Sequence, residues 1–457
     1  MKKRAMLCCA LLVFCGFSLA AQAEEQTPAP AEAKTDEAAV RSLTEERRDI
    51  IKYGLETEIV ELLAVLKTEK DGAFIPDFTT LLEAGPGAKT AQEIFAYFGV
   101  LGSDAGVGPA EKYLDAYEDT PRDILAAVLR YLADEKTHSF PEKIYPLLSS
   151  SNPQIAGAAV RYLGKKAEPE SSGKLLELFK NEDTSQSRRG EIILALGDMK
   201  DPGAVSFLAS LLADEDEDIT LRRFACDSLG KIGDEAALPA IRAALESTDN
   251  ILRAYAVSSL GRFPGDQNAA VLVSALRDSF PRIRELAAER LGDMNYAEAV
   301  DILIYRARRD PDKKVRQAAL RSLSKIDAGN AVGFLQEFME SDRNAIDLRT
   351  FVAEALTDEH PSAMKESASR IMAAEWAKDR SPMLDAVCKL LSQKEYSGFD
   401  NLYEKMLGHP SFIIQIYGIR GVQKNHLTSL KAEIQELSAE GRHPQLRKNA
   451  LSALEEL

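Results

Sequence analysis

The sequence predicts an all-α protein, an α-solenoid of about twelve stacked helical hairpins that form a curved superhelix. Three observations predict this fold. Apolar residues recur at helical spacing from residue 43 onward, in segments separated by glycine, proline and aspartate. No stretch there alternates as a strand does. One motif also returns at a nearly constant interval, which is typical of repeat architectures.

The first 23 residues predict a signal peptide. A basic stretch at positions 2–4 precedes the apolar stretch 5–20, and Ala21-Gln22-Ala23 matches an A-x-A cleavage site. An uncleaved membrane anchor is an alternative, but the apolar stretch is short for a span of about 20 residues. We therefore expect an exported protein of the periplasm or cell envelope, with no transmembrane segment after cleavage.

Lipid attachment to one of the first three cysteines is the second alternative for the N-terminus. Such sites normally have a small residue directly before the cysteine. Here the neighbours are Leu7 before Cys8, Cys8 before Cys9 and Phe14 before Cys15. The sequence thus favours export without a lipid anchor, and leaves release from the cell open.

Residues 24–42 predict a flexible acidic linker, because they are rich in Ala, Pro, Glu and Thr and have little to bury. Loss of the signal peptide would leave 54 basic and 72 acidic residues, a net charge of −18. A chain of this charge repels nucleic acid and anionic membrane on average, so we expect no nucleic-acid partner.

Residues 43–457 predict the solenoid, with an irregular N-terminal cap at 43–90 and a terminal half repeat at 445–457. Its units align as LRRFACDSLG (221–230), LRAYAVSSLG (252–261), IRELAAERLG (283–292) and VRQAALRSLS (315–324). The closing glycines fall where a first helix would end in a residue with positive φ. These are Gly197, Gly230, Gly261 and Gly292.

The repeated arginine of this motif predicts a structural pair rather than a ligand site. It occupies positions 189, 222, 253, 284, 316, 349 and 447. An acidic residue precedes five of these arginines by four to seven positions, as Asp218 precedes Arg222 and Asp278 precedes Arg284. We therefore expect hydrogen-bonded pairs between repeats along the stack.

These motifs resemble HEAT repeats, and in particular the short HEAT-like units first described in phycobilin lyases. The resemblance covers roughly residues 90–457 and is strongest over 186–340. It implies that first helices line the convex face and second helices the concave face, and that the protein acts as a protein-binding scaffold. A lyase-like enzyme or enzyme subunit, acting on an envelope substrate or prosthetic group, is the alternative that it implies.

The residues themselves predict no catalytic, cofactor or metal site. The five histidines, at 138, 360, 409, 426 and 443, are scattered and form no H-x-x-x-H motif. No G-x-S-x-G, P-loop or dinucleotide fingerprint is present. Cys226 and Cys388 fall on apolar helix faces five repeats apart, so both predict small buried side chains rather than a disulfide.

The second helices predict the partner-binding surface, because polar and aromatic residues interrupt their apolar pattern. The candidate contact residues are Arg242, Arg277, Tyr305, Arg308, Arg309 and Glu337. Part of this set lies in a modest positive island, since residues 282–325 hold eleven Lys and Arg against seven Asp and Glu. We expect a protein partner on this surface; its identity and the oligomeric state stay open.

Overall fold

A computed structural model describes residues 32–378 and 380–457, and every regular element within these ranges is helical. The predicted signal peptide and residues 24–31 of the predicted linker lie outside them. The chain divides into two compact units at Pro109. The all-α prediction is confirmed.

The first unit contains four complete helices. They are α1 (Glu32–Tyr53), α2 (Glu56–Glu69), α3 (Ile75–Glu83) and α4 (Ala88–Leu101). Helix α1 includes residues 32–42, which the sequence assigns to a flexible linker. The physical reason is composition, since Ala, Glu and Lys are good helix formers even where no core is available. Helix α5 (Val107–Asp115) crosses the boundary between the units.

The second unit contains twenty-one further α-helices. They are α6 (Arg122–Asp134), α7 (Pro141–Ile144), α8 (Pro153–Lys166), α9 (Pro169–Lys180), α10 (Gln186–Met199), α11 (Val205–Ala213), α12 (Ile219–Ile232), α13 (Leu238–Ala244), α14 (Asn250–Leu260), α15 (Asp266–Ala275), α16 (Pro281–Asp293), α17 (Val300–Arg309), α18 (Lys313–Lys325), α19 (Gly329–Glu340), α20 (Ile346–Glu359), α21 (Pro361–Glu375), α22 (Pro382–Leu391), α23 (Asp400–Leu407), α24 (Phe412–Lys424), α25 (Lys431–Leu437) and α26 (Pro444–Glu456).

Short 3₁₀ turns precede or extend some second helices. They span Tyr145–Ser149, Pro202–Ala204, Glu235–Ala237, Ala297–Ala299, Ser397–Phe399 and Thr428–Leu430.

The second unit is a stack of helical hairpins. We call its even-numbered helices α6 to α26 the A helices and its odd-numbered helices α7 to α25 the B helices. Each A helix packs on the A helix of the next repeat, and from α11 onward each B helix packs on the A helix that follows it. The core is shared between neighbouring repeats, because a single hairpin cannot cover its own apolar stripe.

Seven of the eleven A helices begin at a side-chain cap. Asp218 accepts hydrogen bonds from the backbone N–H groups of Thr220 (2.8 Å) and Leu221 (3.2 Å) at the start of α12. Asp312 does the same for α18, and Asp249 accepts from Leu252 N at 2.6 Å. These upstream acids thus satisfy backbone donors that a helix leaves free.

The repeated arginine has a partner that the sequence does not predict. It donates to backbone carbonyls at the end of the preceding B helix: Arg222 Nε to Leu212 O (3.1 Å) and Arg349 Nε to Met339 O (2.7 Å). Gln415, which replaces arginine in its repeat, makes the same bond to Leu407 O at 3.1 Å. The carboxylates of Asp218 and Asp312 cap their own A helices and make no bond to the guanidinium of the arginine that follows four residues later.

The predicted pairs between repeats also form, each with the aspartate that follows the next B helix. Arg284 Nε and Nη2 donate to the two carboxylate oxygens of Asp310 at 2.8 and 2.7 Å, and Arg253 holds Asp278 in the same bidentate way at 3.0 and 3.1 Å. Burial alone would raise the pKa of Asp310, but the bonds from Arg284 and from the Asp312 backbone outweigh it and lower that pKa. We call these bonds the buried ladder.

The consensus glycines lie where neighbouring A helices come closest, and the expected positive φ is wrong for them. At Gly197 a Cβ atom would lie 2.5 Å from Ser228 Oγ, and at Gly230 equally close to Ser259 Oγ. Ser228 Oγ in turn donates to Ile193 O at 2.8 Å. The positive-φ residue at the end of α12 is Gly233, three residues later.

The two cysteines behave as the sequence predicts. Cys226 and Cys388 are fully buried and unpaired. Burial raises the pKa of each thiol to about 12, so both stay protonated at neutral pH. They serve as small apolar side chains in the A-helix core.

Candidate functional site

The six candidate contact residues lie on or directly after consecutive B helices. Arg242 is on α13, Arg277 follows α15, and Glu337 is on α19. The remaining three, Tyr305, Arg308 and Arg309, lie in the last two turns of α17. All except Arg242 are exposed. We call the exposed side chains of the B helices from α11 to α21, together with that of Arg277, the B surface.

Helix α17 supplies the most exposed aromatic side chain of this surface. Tyr305 is 58% exposed, and the guanidinium of Arg306 lies 5.6 Å from its ring centre. Arg306 is also held from below by Asp310, at 3.3 Å. The ring of Tyr305 therefore packs against Arg306, which Asp310 of the buried ladder holds in place. The hydroxyl of Tyr305 is available to a partner.

Arg308 connects two repeats on the B surface. Its guanidinium lies 4.9 Å from the ring centre of Phe334 on α19, and Phe334 is itself buried. A guanidinium over an aromatic face is held flat while its edge N–H groups remain open to solvent. Arg308 is thus an oriented cation with free donors.

Arg277, Arg309 and Glu337 are exposed, and none of them forms an ion pair with any residue in the described ranges. Their neighbours differ in this respect. Arg284 and Arg253 are satisfied by Asp310 and Asp278. The sequence separates the two kinds of arginine by position, since Arg284 and Arg253 are consensus residues of A helices and Arg277 and Arg309 belong to the second-helix segments.

Arg242 has a structural partner. It is half-buried, and its Nη2 donates to Asn268 Oδ1 at 2.7 Å and to Gln267 Oε1 at 3.2 Å. The side chain therefore connects α13 with α15, and it offers fewer free donors than Arg277 or Arg309. Of the candidate residues, the structure links Arg308 to the next repeat through Phe334 and Arg242 to its next repeat through Asn268.

The B surface changes in character along the stack. On α11 and α13 its exposed residues are small or neutral, namely Ser206, Ser210, Pro239 and Ala243. On α17 they are Asp301 in the first turn and Tyr305, Arg308 and Arg309 in the last two turns, and α19 and α21 add Glu337, Glu366 and Arg370. The small exposed residues of α11 and α13 thus form a flat surface beside a patch of Tyr305, Arg308 and Arg309. Such a patch can bind carboxylates and apolar edges of another polypeptide.

Carboxylates of the acidic loop at residues 214–218 accept hydrogen bonds from nearby backbone N–H groups. Asp218 caps α12, and Asp214 Oδ1 accepts from the backbone N–H of Asp216 at 3.0 Å. The carboxylates of Asp214, Glu215 and Asp216 are exposed and have no cationic partner among the described residues. In the same ranges no three His, Cys, Asp or Glu side chains converge as metal ligands would.

A groove that the sequence does not predict lies on the A-helix side, over α8. It depends on the small residues Ala126, Ala133 and Ala158, whose side chains leave the space between larger ones. None of the consensus-arginine positions of the upstream repeats lines it, so the repeat motif carries no signal for this groove.

Nothing in the described ranges is both long and apolar enough to form a membrane-spanning helix.

The stacked hairpins, the shared core and the recurring A-helix contacts define an α-solenoid of the HEAT type. The chain belongs to the spirochaete HEAT repeat protein family, whose model matches residues 51–453. The predicted resemblance to HEAT repeats is confirmed. No curated protein matches the chain in sequence.

Solved structures of several helical-repeat proteins are similar to this chain. Kap95p, from a structure with RanGDP, is 11% identical over 91% of this chain and 67% of its own, with a TM-score of 0.47. The YibA protein of Escherichia coli is 14% identical over 57% of this chain and 95% of its own, with a TM-score of 0.40. The CpcE–CpcF complex of phycocyanin lyase from Nostoc sp. PCC7120 is 17% identical over 70% of this chain and 95% of its own, with a TM-score of 0.29.

Proposed function

We propose that this chain is a non-catalytic scaffold of the cell envelope, which binds an extended segment of a protein partner on its B surface. The patch of Tyr305, Arg308 and Arg309 is the single observation that carries the proposal. It presents an aromatic ring and two cations with free donors on a chain whose net charge is −15. Side chains of these two types are enriched among residues that dominate binding energy at protein interfaces.

The partner's contacting segment carries acidic side chains beside an apolar one. Arg308 is oriented by Phe334, so a carboxylate can bind the edge of its guanidinium without a further loss of side-chain freedom. The small residues Ser210 and Ala243 leave room for a backbone to approach the earlier B helices. A scaffold of this kind needs no convergent catalytic groups, which is why we favour it over a lyase-like activity.

Photo-crosslinking in the native cell tests the binding surface. A photoreactive residue replaces Arg277 or Arg308 on the B surface, and Arg420 on the A helix α24 in a matched control. We expect one dominant protein adduct at positions 277 and 308 and none at 420. Equal labelling at all three, or no adduct at either B-surface position, overturns the choice of surface.

Export is tested separately. The proposal that residues 1–23 are a signal peptide predicts that the mature protein begins at Glu24 and is released with the periplasmic fraction. N-terminal sequencing of the purified native protein measures this directly. An N-terminus at Met1 with cytoplasmic fractionation contradicts the envelope assignment, while leaving the binding surface to its own test.

A further inference from the structure

The groove over α8 has a volume of about 580 Å³ and is open along one side. Its floor is the outward stripe of α8, from Gln154 to Lys165. At 1.5 Å per residue this stripe is about 16 Å long. Helices α6 and α10 form the walls, because both pack on α8 as neighbouring A helices.

The lining of this groove is basic. Arg130, Arg161, Lys165 and Arg188 face it, against a single acid, Glu191. Arg130 is exposed and forms no ion pair within the described residues, while Arg161 Nη1 makes one bond, to Glu191 at 3.0 Å. Arg188 donates to the carbonyl oxygen of Leu148 at 3.3 Å. Most guanidinium donors of the groove thus remain unused in a chain of net charge −15.

An occupant of opposite charge lies in the same chain. The acidic loop follows α11, and the exposed carboxylates of Asp214, Glu215 and Asp216 lack a cation partner among the described residues. Carboxylates and guanidinium groups form the strongest hydrogen-bonded pairs that side chains offer. None of the loop's residues lines the groove of its own chain, so the loop does not cover that groove.

The relative position of the groove and the acidic loop suits a two-fold axis. Ser185 caps α10 at one end of the groove, and Asp218 caps α12 at the end of the loop. Helices α10 and α12 are packed neighbours, so the two caps lie about 10 Å apart. A positive patch directly beside a negative one is self-complementary under a two-fold rotation, which pairs each patch with its opposite twice.

We propose that two copies of this chain associate as a two-fold dimer, in which the acidic loop of each copy lies in the α8 groove of the other. The carboxylates of Asp214, Glu215 and Asp216 then bind Arg130, Arg161 and Arg188 of the second copy. The contact uses the A-helix side and leaves the B surface of both copies free for its partner.

Sedimentation equilibrium of the full mature chain tests the dimer, with charge reversal as the probe. The groove variant carries Arg130→Glu and Arg161→Glu, and the loop variant carries Asp214→Lys, Glu215→Lys and Asp216→Lys. The control variant, Lys405→Glu with Lys448→Glu, changes the net charge as the groove variant does, at exposed positions without ion pairs. Each protein is measured at about 0.05 M and 0.5 M salt, since screening weakens exposed charge pairs.

We expect the wild type and the control variant to dimerise at low salt, and the dissociation constant to rise at least tenfold at high salt. Each reversed variant alone should be monomeric, because like charges then face each other in both contacts. An equimolar mixture of the groove and loop variants should recover the dimer, since opposite charges meet again at both contacts. Recovery also shows that the two variants are folded.

Three results overturn the proposal. The first is a wild type that stays monomeric at every salt concentration. The second is a dimer that both reversals leave intact, and the third is a mixture that does not recover association. Loss of the dimer in the groove variant alone assigns the groove to a different acidic occupant and also rejects the loop as its ligand.

Discussion

Two sets of ion pairs join the repeats of the second unit, and they differ in burial. The buried ladder lies where each B helix leads into the next A helix. In its Arg284–Asp310 pair the side chains are 7% and 0% exposed. The second set lies at the other end of the A helices, where Lys231 binds Asp198 at 2.8 Å and Lys325 binds Asp293 at 2.6 Å. We call this second set the exposed ladder.

The difference in burial indicates that the buried ladder stabilises the fold more than the exposed ladder does. In the exposed ladder the side chains of Lys231 and Asp198 are 31% and 48% exposed, and such pairs contribute up to about 1 kcal/mol. In the buried ladder the guanidinium also satisfies carbonyls of the preceding turn, as Arg284 does with Asp278 O at 2.9 Å. Losing one partner there leaves several donors unpaired, which costs about 3–5 kcal/mol.

The largest expected effect is that of Asp310→Asn. The substitution removes the carboxylate that faces Arg284 and Arg306, and leaves a buried guanidinium without its counter-charge. We expect a loss of about 3–5 kcal/mol in the free energy of unfolding of the repeats around α16 and α18. Urea denaturation followed by circular dichroism measures it, and hydrogen exchange locates it. A loss below about 1 kcal/mol would place the buried ladder on a level with the exposed one.

A second substitution sharpens the comparison by removing space instead of charge. In Gly197→Ala the new methyl group would meet Ser228 Oγ at 2.5 Å and Ser228 Cα at 2.7 Å, so α10 and α12 must move apart. Such overpacking costs about 1–3 kcal/mol. The same denaturation experiment measures the change.

Gly333→Ala is the matched control for this substitution. Gly333 also lies inside a helix, but no atom is within 4 Å of its Cβ position. Alanine there should stabilise the chain by up to about 1 kcal/mol, through helix propensity alone. If both substitutions stabilise to the same extent, the close approach at Gly197 has no energetic role.

Strong acid should weaken the bonds between arginine and aspartate that join the repeats. The bond from Arg223 lowers the pKa of Asp249, and for Asp278 and Asp310 bonds from arginine outweigh burial, so all three pKa values lie below the ordinary 3.8. A lowered pKa contributes stability that is complete above pH 3.8 and is lost as the pH falls through the folded-state value. The difference between wild type and Asp310→Asn should therefore shrink below about pH 3.8. A difference that stays constant down to pH 2 contradicts the ionic nature of the bond.

The smallest expected effect is that of Asp198→Asn in the exposed ladder. It is chemically the same change as Asp310→Asn, made in a solvated pair with Lys231. We expect a loss below about 1 kcal/mol that disappears in high salt. Urea denaturation at two salt concentrations measures it. A loss as large as that of Asp310→Asn would show that exposure does not distinguish the two ladders.

The sequence was sufficient for the architecture, because helical periodicity and a constant repeat length are local properties. It pointed to the acidic residues that precede the A helices, Asp218 and Asp278 among them, but not to Arg253 as the partner of Asp278. Arg253 has an aspartate four residues upstream and another twenty-five residues downstream. Only the packing of α14 beside the turn after α15 shows that the second one, Asp278, is bonded.

Candidate sites were harder to predict for the same reason. The sequence placed Arg308 among the contact residues and Arg284 among the structural ones, but the partner of Arg284, Asp310, lies 26 residues further along the chain. The groove over α8 depends on what is missing between three helices, namely side chains larger than those of Ala126, Ala133 and Ala158. Absent volume leaves no motif, so a pattern search passes over it.

The contact between glycine and serine has a consequence for how such a chain can change in length. Gly197 faces Ser228 and Gly230 faces Ser259, so the glycine face of one A helix can pack against the serine face of either following A helix. Loss of residues 219–249 would join the turn after α11 to α14 and place Ser259 opposite Gly197, and Asp218 would take the capping position of the lost Asp249. Unequal crossing-over within the gene can therefore add or delete whole units without designing a new interface. Selection can then set the reach of the protein by copy number, one hairpin at a time.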